Sequence, residues 1–246
     1  MNILGIIASQ SSGPAGGLPV AGASLWLDSN DSSTFSFSSG TRVSEWRDKS
    51  GNARHFTQTT TGSQPDRSAS QGGKTGVYFD RSAANYFMSN SSYSWAASAF
   101  TAFFVADPKG GDYTALLSRN STGALQIGYG QGAGTYAISR IGQATSNSNL
   151  APTVGNADVV CYRSAGISSG TVNVDVFKNG TAGSATLTLG SLGAGDKALL
   201  GASSDGAADT FGTDGYICEV LVYPSQLSVS DRNTVESYLK TKWGTP

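Results

Sequence analysis

An antiparallel β-sandwich closed by one C-terminal α-helix is the fold class predicted here, and three observations predict it. Apolar and aromatic runs of four to eight residues recur between turn signals from Ser24 onward. Glycine is abundant, 32 of 246 residues, yet hydrophobic residues still make up 38%. A single segment near the C-terminus switches to helical spacing. Runs this short, rich in β-branched and aromatic residues and bounded by Gly, Asn, Asp or Ser, read as strands. Their recurrence along one chain of this length is the pattern of an all-β sandwich with a sizeable core.

The chain opens on MNILGIIASQ, in which Ile3 to Ala8 are all uncharged and mostly apolar, and no charged residue precedes Asp28. A secretory signal needs a basic start before roughly 7–15 apolar residues, and the first basic residue here is Arg42. A membrane span needs about 20 apolar residues, and no run approaches that, so membrane insertion is not expected. The following SSGPAGGLPVAG concentrates Gly, Pro and Ser and reads as a flexible linker. Residues 1–23 are therefore expected to form an apolar attachment segment on a tether, with 24–246 as the sandwich. An outer strand of the sandwich is the competing reading of Ile3 to Ala8.

The strand runs follow in order: SLWLD, RVSEWRD, GVYFD, FTAFFVAD, YTALLSR, ALQIGYG, GTYAISRIG, DVVCYRS, TVNVDVFKNG, ATLTL and YICEVLVY. In TVNVDVFKNG, Val172, Val174 and Val176 alternate with Asn173, Asp175 and Phe177, and Asn179-Gly180 fits a hairpin turn because both residues tolerate positive φ. The short NARHF run is also expected to be a strand. In LSVSDRNTVESYLKTKWG, Ser228 and Asp231 have capping-box spacing, Val235, Tyr238 and Leu239 recur at helical spacing, and Gly244 supplies a stop. That predicts a helix over 229–242. Trp26 and Trp46 are expected in the core. Cys161 and Cys218 fall in strand runs and are expected as two buried thiols, a disulfide requiring those strands to meet.

Composition excludes several functions. Charged residues are 13% of the chain and the formal net charge is −1, so no global field draws nucleic acid. The three glutamates, Glu45, Glu219 and Glu236, form no E-x-D-x-x-E strand of the kind that sandwich glycosidases use to face one sugar with two carboxylates. Glu219 is expected to face solvent or to pair with a basic residue. SEWR at 44–47, His55 and FKNG at 177–180 follow the order of motifs in sandwich-fold alginate lyases. They lack the lyase chemistry: Val43 replaces the leading arginine, Ala53 the glutamine, and no tyrosine follows FKNG. His55 is the only histidine, which leaves no triad and no zinc ligand set. Asp28, Asn30, Asp31, Asp48, Asp205, Asp209 and Asp214 could offer oxygen ligands to calcium, although turn chemistry accounts for the same residues. No catalytic residue, cofactor or defined metal site is expected.

The stretches LWLDSNDSSTFSFSSGTRVSEWRDKSGNARHFTQ, GVYFDRSAANYF and GYICEVLVYPSQLSVSDRNTVESYLKTKWG together resemble the laminin-G-like, or concanavalin A-like, jelly-roll domains of bacterial and phage surface proteins. This resemblance runs from Ser24 to Gly244 and implies an all-β jelly-roll. It leaves function open, because such domains include glycan binders, adhesion modules and architectural units. DKSGN is expected to be a structural corner. MNILGIIAS in turn resembles a short N-terminal sequence of tailed-phage virion proteins. It implies a non-enzymatic virion protein on the particle surface, a capsid decoration or tail adhesin in multiple copies, with Ile3, Leu4, Ile6 and Ile7 attaching it to other virion proteins. Host-surface glycans are possible further partners. The alternative is a carbohydrate-binding module of a bacterial surface or secreted protein.

Overall fold

A computed structural model describes residues 17–69, 74–80, 88–93, 95, 98–109, 114–119, 125–129, 134–141, 144–168, 170–188, 197–203 and 213–246. In chain order the first strands are β1 (Leu25–Asp28), β2 (Phe35–Ser39), β3 (Arg42–Trp46), β4 (Phe56–Thr57), β5 (Asp66–Ala69) and β6 (Thr75–Phe79). Next come β7 (Met88–Asn90), β8 (Phe100–Pro108), β9 (Thr114–Arg119), β10 (Leu125–Tyr129), β11 (Tyr136–Arg140) and β12 (Ala144–Asn147). The last are β13 (Asp158–Ser164), β14 (Ile167–Ser168), β15 (Thr171–Lys178), β16 (Thr181–Thr188), β17 (Ala198–Leu200) and β18 (Gly215–Tyr223), followed by helix α1 (Val229–Trp243).

The described strands pair antiparallel and build two layers, an all-β sandwich of jelly-roll type as the sequence predicts. In the first layer β18 lies between β8 on one side and β1 and β6 on the other, and the layer continues through β13 and β15 to β16. The second runs β2–β3–β4–β7–β17–β9–β10–β11–β12. The layers join along one edge, where Arg42 of β3 faces Asp66 of β5.

Period-two alternation sends one side chain of each pair into the space between the layers. Leu25, Leu27, Trp46, Phe56, Phe79, Phe104, Ile127, Ile138, Tyr162 and Val220 meet there with Val172, Val174 and Val176, the apolar face read from TVNVDVFKNG. Asn179 and Gly180 close the β15–β16 hairpin with φ of 49° and 91°.

A second cluster explains why β8 and β18 are apolar on both faces. Trp26, Phe103, Val105, Cys161, Leu221 and Tyr223 point outward from the first layer and are covered by Val235, Leu239 and Trp243 of α1. Ser228 caps the helix: its Oγ accepts from the Asp231 N–H at 3.0 Å and donates to Asp231 Oδ2 at 2.8 Å. The helix runs to Trp243, one residue past the predicted boundary, and Gly244 ends it with φ 70° in the left-handed region. Cys161 and Cys218 are both buried, and burial pushes the Cys161 thiol well up.

Two expectations need correction. NARHF is not a strand up to its last residue, because Ala53 takes φ 55° and only Phe56 and Thr57 pair. Residues 18–23 do not hang free: Leu18 is buried, Val20 and Ala23 pack on the helix-facing cluster, and Tyr223 donates its hydroxyl to the Val20 carbonyl at 3.1 Å. Ile3, Leu4, Ile6 and Ile7 lie outside the described residues.

Candidate functional site

The outer face of the second layer carries a row of polar side chains that no single strand reveals. Residues opposite one another in an antiparallel pair share a face. The pairings Ser36–Glu45, Glu45–Thr57, Thr57–Ser89 and Ser89–Leu199 start the row. Leu199–Ser118, Ser118–Gln126, Gln126–Ser139 and Ser139–Thr145 complete it. Each strand contributes through alternation, as where Gln126 sits between core residues Leu125 and Ile127. Beside this row runs a second of small residues, Ala115, Gly128 and Ala137, ending at Asn147.

Burial along the row is uneven. Its ends are open, with Thr57 exposed and Thr145 half-buried, whereas Ser118 and Gln126 at the centre are 0% and 2% exposed. Ser118 Oγ is engaged with the Ala202 carbonyl at 2.6 Å, and the Ser139 and Thr145 hydroxyls share a hydrogen bond at 3.0 Å. Among the described residues the Gln126 Oε1 has no hydrogen-bond partner. A buried amide oxygen left unpaired costs about 1–3 kcal/mol, so this acceptor sits ready for a donor. Glu45 is held within the row by the Ser36 hydroxyl at 3.1 Å and by Arg47 at 2.9 Å.

The DKSGN corner is built around Asp48. Its carboxylate accepts from the N–H groups of Trp26, Ser50 and Arg54 at 2.9, 2.8 and 3.0 Å, and from the Ser50 hydroxyl at 2.8 Å. The Asp48 N–H donates to His55 Nδ1 at 3.0 Å, so the lone histidine is a half-buried brace of the same corner. Between this corner and the run 18–24 opens a cleft of about 460 Å³ lined in part by Leu18, Val20, Trp26, Lys49, Asn52, Arg54 and Pro224.

Glu219, expected at solvent or on a basic partner, is 1% exposed and paired. The Trp26 indole N–H donates to its Oε1 at 2.8 Å, the Trp243 indole N–H to its Oε2 at 2.5 Å, and Lys242 Nζ lies 2.8 Å from Oε2. Lys242 also reaches Asp28, the residue opposite Glu219 across β1–β18, at 2.8 Å. Burial pushes the Glu219 carboxyl up, with Lys242 opposing. Burial would lower the Lys242 ammonium, but Glu219 and Asp28 outweigh it and push it up to about 12. The arrangement fastens α1 to the sheet.

Oxygen ligation of calcium meets competition at these same residues. Lys49 sits 3.1 Å from Asp28 and 2.8 Å from Asp31, and its hydrogen bond takes the Asp31 carboxyl down to about 2. Asp214 accepts from the Tyr78 hydroxyl at 3.1 Å, while Asp205 and Asp209 lie outside the described residues. Among the described residues no three His, Cys, Asp or Glu side chains are grouped to hold a metal ion. The polar row was missed in the sequence because it exists only through register between strands distant in the chain. Its one local signal is a glutamine alternating with core residues in ALQIGYG.

No protein-family model matches the chain, and no curated protein does. Solved structures do. Domain 4 of a GH43 extracellular arabinanase from Geobacillus stearothermophilus, in complex with arabinotriose, aligns at TM-score 0.61 and 12% identity, covering 88% of this chain and 98% of that one. A Trypanosoma rangeli sialidase in complex with sialic acid aligns at TM-score 0.60 and 15% identity, covering 92% of this chain, which spans only 34% of the sialidase. An arabinofuranosidase complexed with arabinofuranosyl-α-1,2-xylobiose aligns at TM-score 0.52 and 14% identity, over 91% of this chain and 60% of that one. At such identities the likeness is one of fold, the antiparallel β-sandwich.

Proposed function

We propose that the protein is a non-catalytic carbohydrate-binding module that engages glycan hydroxyls along the outer face of its second layer. The observation that carries this reading is the buried Oε1 of Gln126, which has no partner among the described residues, in a row that also carries the hydroxyls of Ser118, Ser139 and Thr145. Sugar hydroxyls supply donors to such an acceptor and accept from serine and threonine. The row contains one carboxylate, Glu45, paired with Arg47, so among the described residues no acid–base pair stands in it. The sandwich neighbours in complex with arabinotriose and with sialic acid lend support at the level of fold.

A second reading, favoured by the resemblance of MNILGIIAS to virion N-termini, is compatible with the first. Ile3, Leu4, Ile6 and Ile7 attach the protein to capsid or tail, and the sandwich is displayed in many copies on the particle surface. A glycan array with the full chain tests the binding reading. Retention of at least one glycan class, lost about tenfold or more in Gln126→Leu at unchanged melting temperature, is expected. An array without retention, or equal binding by the variant, overturns it. Mass spectrometry of a purified particle tests the second.

A further inference from the structure

The cleft beside the DKSGN corner has an unbalanced charge. Two cations reach it, and only one is matched. Lys49 is held by Asp28 and Asp31. Arg54 is held by neutral groups: its Nη1 donates to the Ser24 carbonyl at 2.9 Å, and its guanidinium carbon lies 4.5 Å from the Tyr93 ring centroid. Among the described residues no carboxylate forms an ion pair with this guanidinium. Asp48, the corner's own carboxylate, is occupied by four donors, one of them the Arg54 backbone N–H.

Position reinforces the charge. Arg54 lines both the 460 Å³ cleft and an adjoining pocket of about 120 Å³ that runs to Tyr93, Trp95 and Phe100. The larger volume lies within the roughly 300–1,000 Å³ of small-molecule sites. A guanidinium offers five donors in a planar fork, so its bonds to the Ser24 carbonyl and the Tyr93 hydroxyl leave others for an oxyanion. Trp26 is 5% exposed and carries Lys49 Nζ 4.4 Å from its ring centroid, which removes it as a stacking platform. What remains for a ligand body is an aliphatic wall of Leu18, Val20 and Pro224, with the Asn52 amide and Ser50 hydroxyl beside it.

We propose that this cleft is a second binding site, for a carboxylate-bearing saccharide, with the carboxylate on Arg54 and the apolar edge of the ring against Leu18, Val20 and Pro224. The carboxylate follows from Arg54 alone. The saccharide as its carrier rests on the glycan-binding reading above.

Nuclear magnetic resonance titration of the full chain separates the two claims, using galacturonate, its neutral methyl ester, galactose and acetate as probes. Galacturonate is expected to shift the backbone amides of Ser24, Asn52 and Arg54, with the methyl ester at least tenfold weaker and the affinity falling as salt rises. Arg54→Gln should abolish these shifts and Arg54→Lys weaken them, because an ammonium keeps the charge but loses the fork. Melting curves of both variants check the fold. Gln126→Leu distinguishes the sites: cleft shifts that persist in it support a separate site, and shifts lost in it but kept in Arg54→Gln overturn one. Equal binding of galacturonate and its methyl ester, or no shift by galacturonate at the cleft, overturns the carboxylate. Acetate binding as tightly as galacturonate overturns the saccharide while leaving the polar-face reading intact.

Discussion

Glu219 of β18 is tied to two other elements through one carboxylate: to β1 by the Trp26 indole, and to the end of α1 by the Trp243 indole and again by Lys242. Removing it strands two buried indole N–H groups and leaves the ammonium on Asp28 alone. Breaking one side of a buried pair costs about 3–5 kcal/mol, and Glu219→Ala is expected to lower the unfolding free energy obtained from urea denaturation by an amount in that range. The double variant Glu219→Leu with Lys242→Met should recover part of the loss, since it removes both charges together while the two indole N–H groups stay without their acceptor. Alkaline titration reads the same cluster. Lys242 is raised from 10.5 to about 12, so its stabilisation is fully present below pH 10.5 and lost as pH rises through about 12. Asp31 is lowered from 3.8 to about 2 and works in the other direction, its contribution present above pH 3.8 and lost as pH falls through about 2. Thermal melts across pH 2–12 should show both shoulders, and Lys242→Met should remove only the alkaline one.

Elements differ in how plainly the sequence announces them, and length is the reason. Long strands such as β8, β15 and β18 carry enough alternating or continuous apolar residues to be read directly, and α1 has its cap, stripe and stop in one segment. β4 and β17 have two and three residues, too few for a period, and β12 is built of Ala, Thr, Ser and Asn with no apolar signal. The candidate binding row needs these weak strands, which is why its register was invisible while the core was not. Glu219 shows the same limit: a basic partner was foreseeable, but its identity 23 residues on depended on where α1 docks. Because α1 covers Trp26, Phe103, Val105, Cys161 and Leu221, truncation after Leu227 is expected to uncover an apolar sheet face and give a dye-binding, aggregating product. Ser228→Ala, which removes only the cap, should cost about 1 kcal/mol and keep the protein monodisperse. Sedimentation and urea unfolding of the two variants distinguish losing the helix from fraying it.

For the whole molecule, the decisive boundary lies where the chain joins the body. Leu18 is 7% exposed, Val20 and Ala23 pack against the helix-facing cluster, and Tyr223 donates to the Val20 carbonyl, so this run is one wall of the sandwich's own structure. The same run walls the Arg54 cleft. Two truncations therefore should behave differently. Deleting 1–16 leaves every described contact in place and is expected to leave the melting temperature within a degree or two of the full chain. Deleting 1–23 strips Leu18 from its site, worth about 1.5–3 kcal/mol for a fully buried leucine, and opens the cleft on one side. Its melting temperature should fall by several degrees, and galacturonate shifts at Arg54 should vanish while glycan retention through Gln126 persists. If Ile3 to Ala8 is instead an outer strand of the sandwich, the shorter deletion alone will produce the large drop, because an edge strand's hydrogen bonds and side chains leave with it.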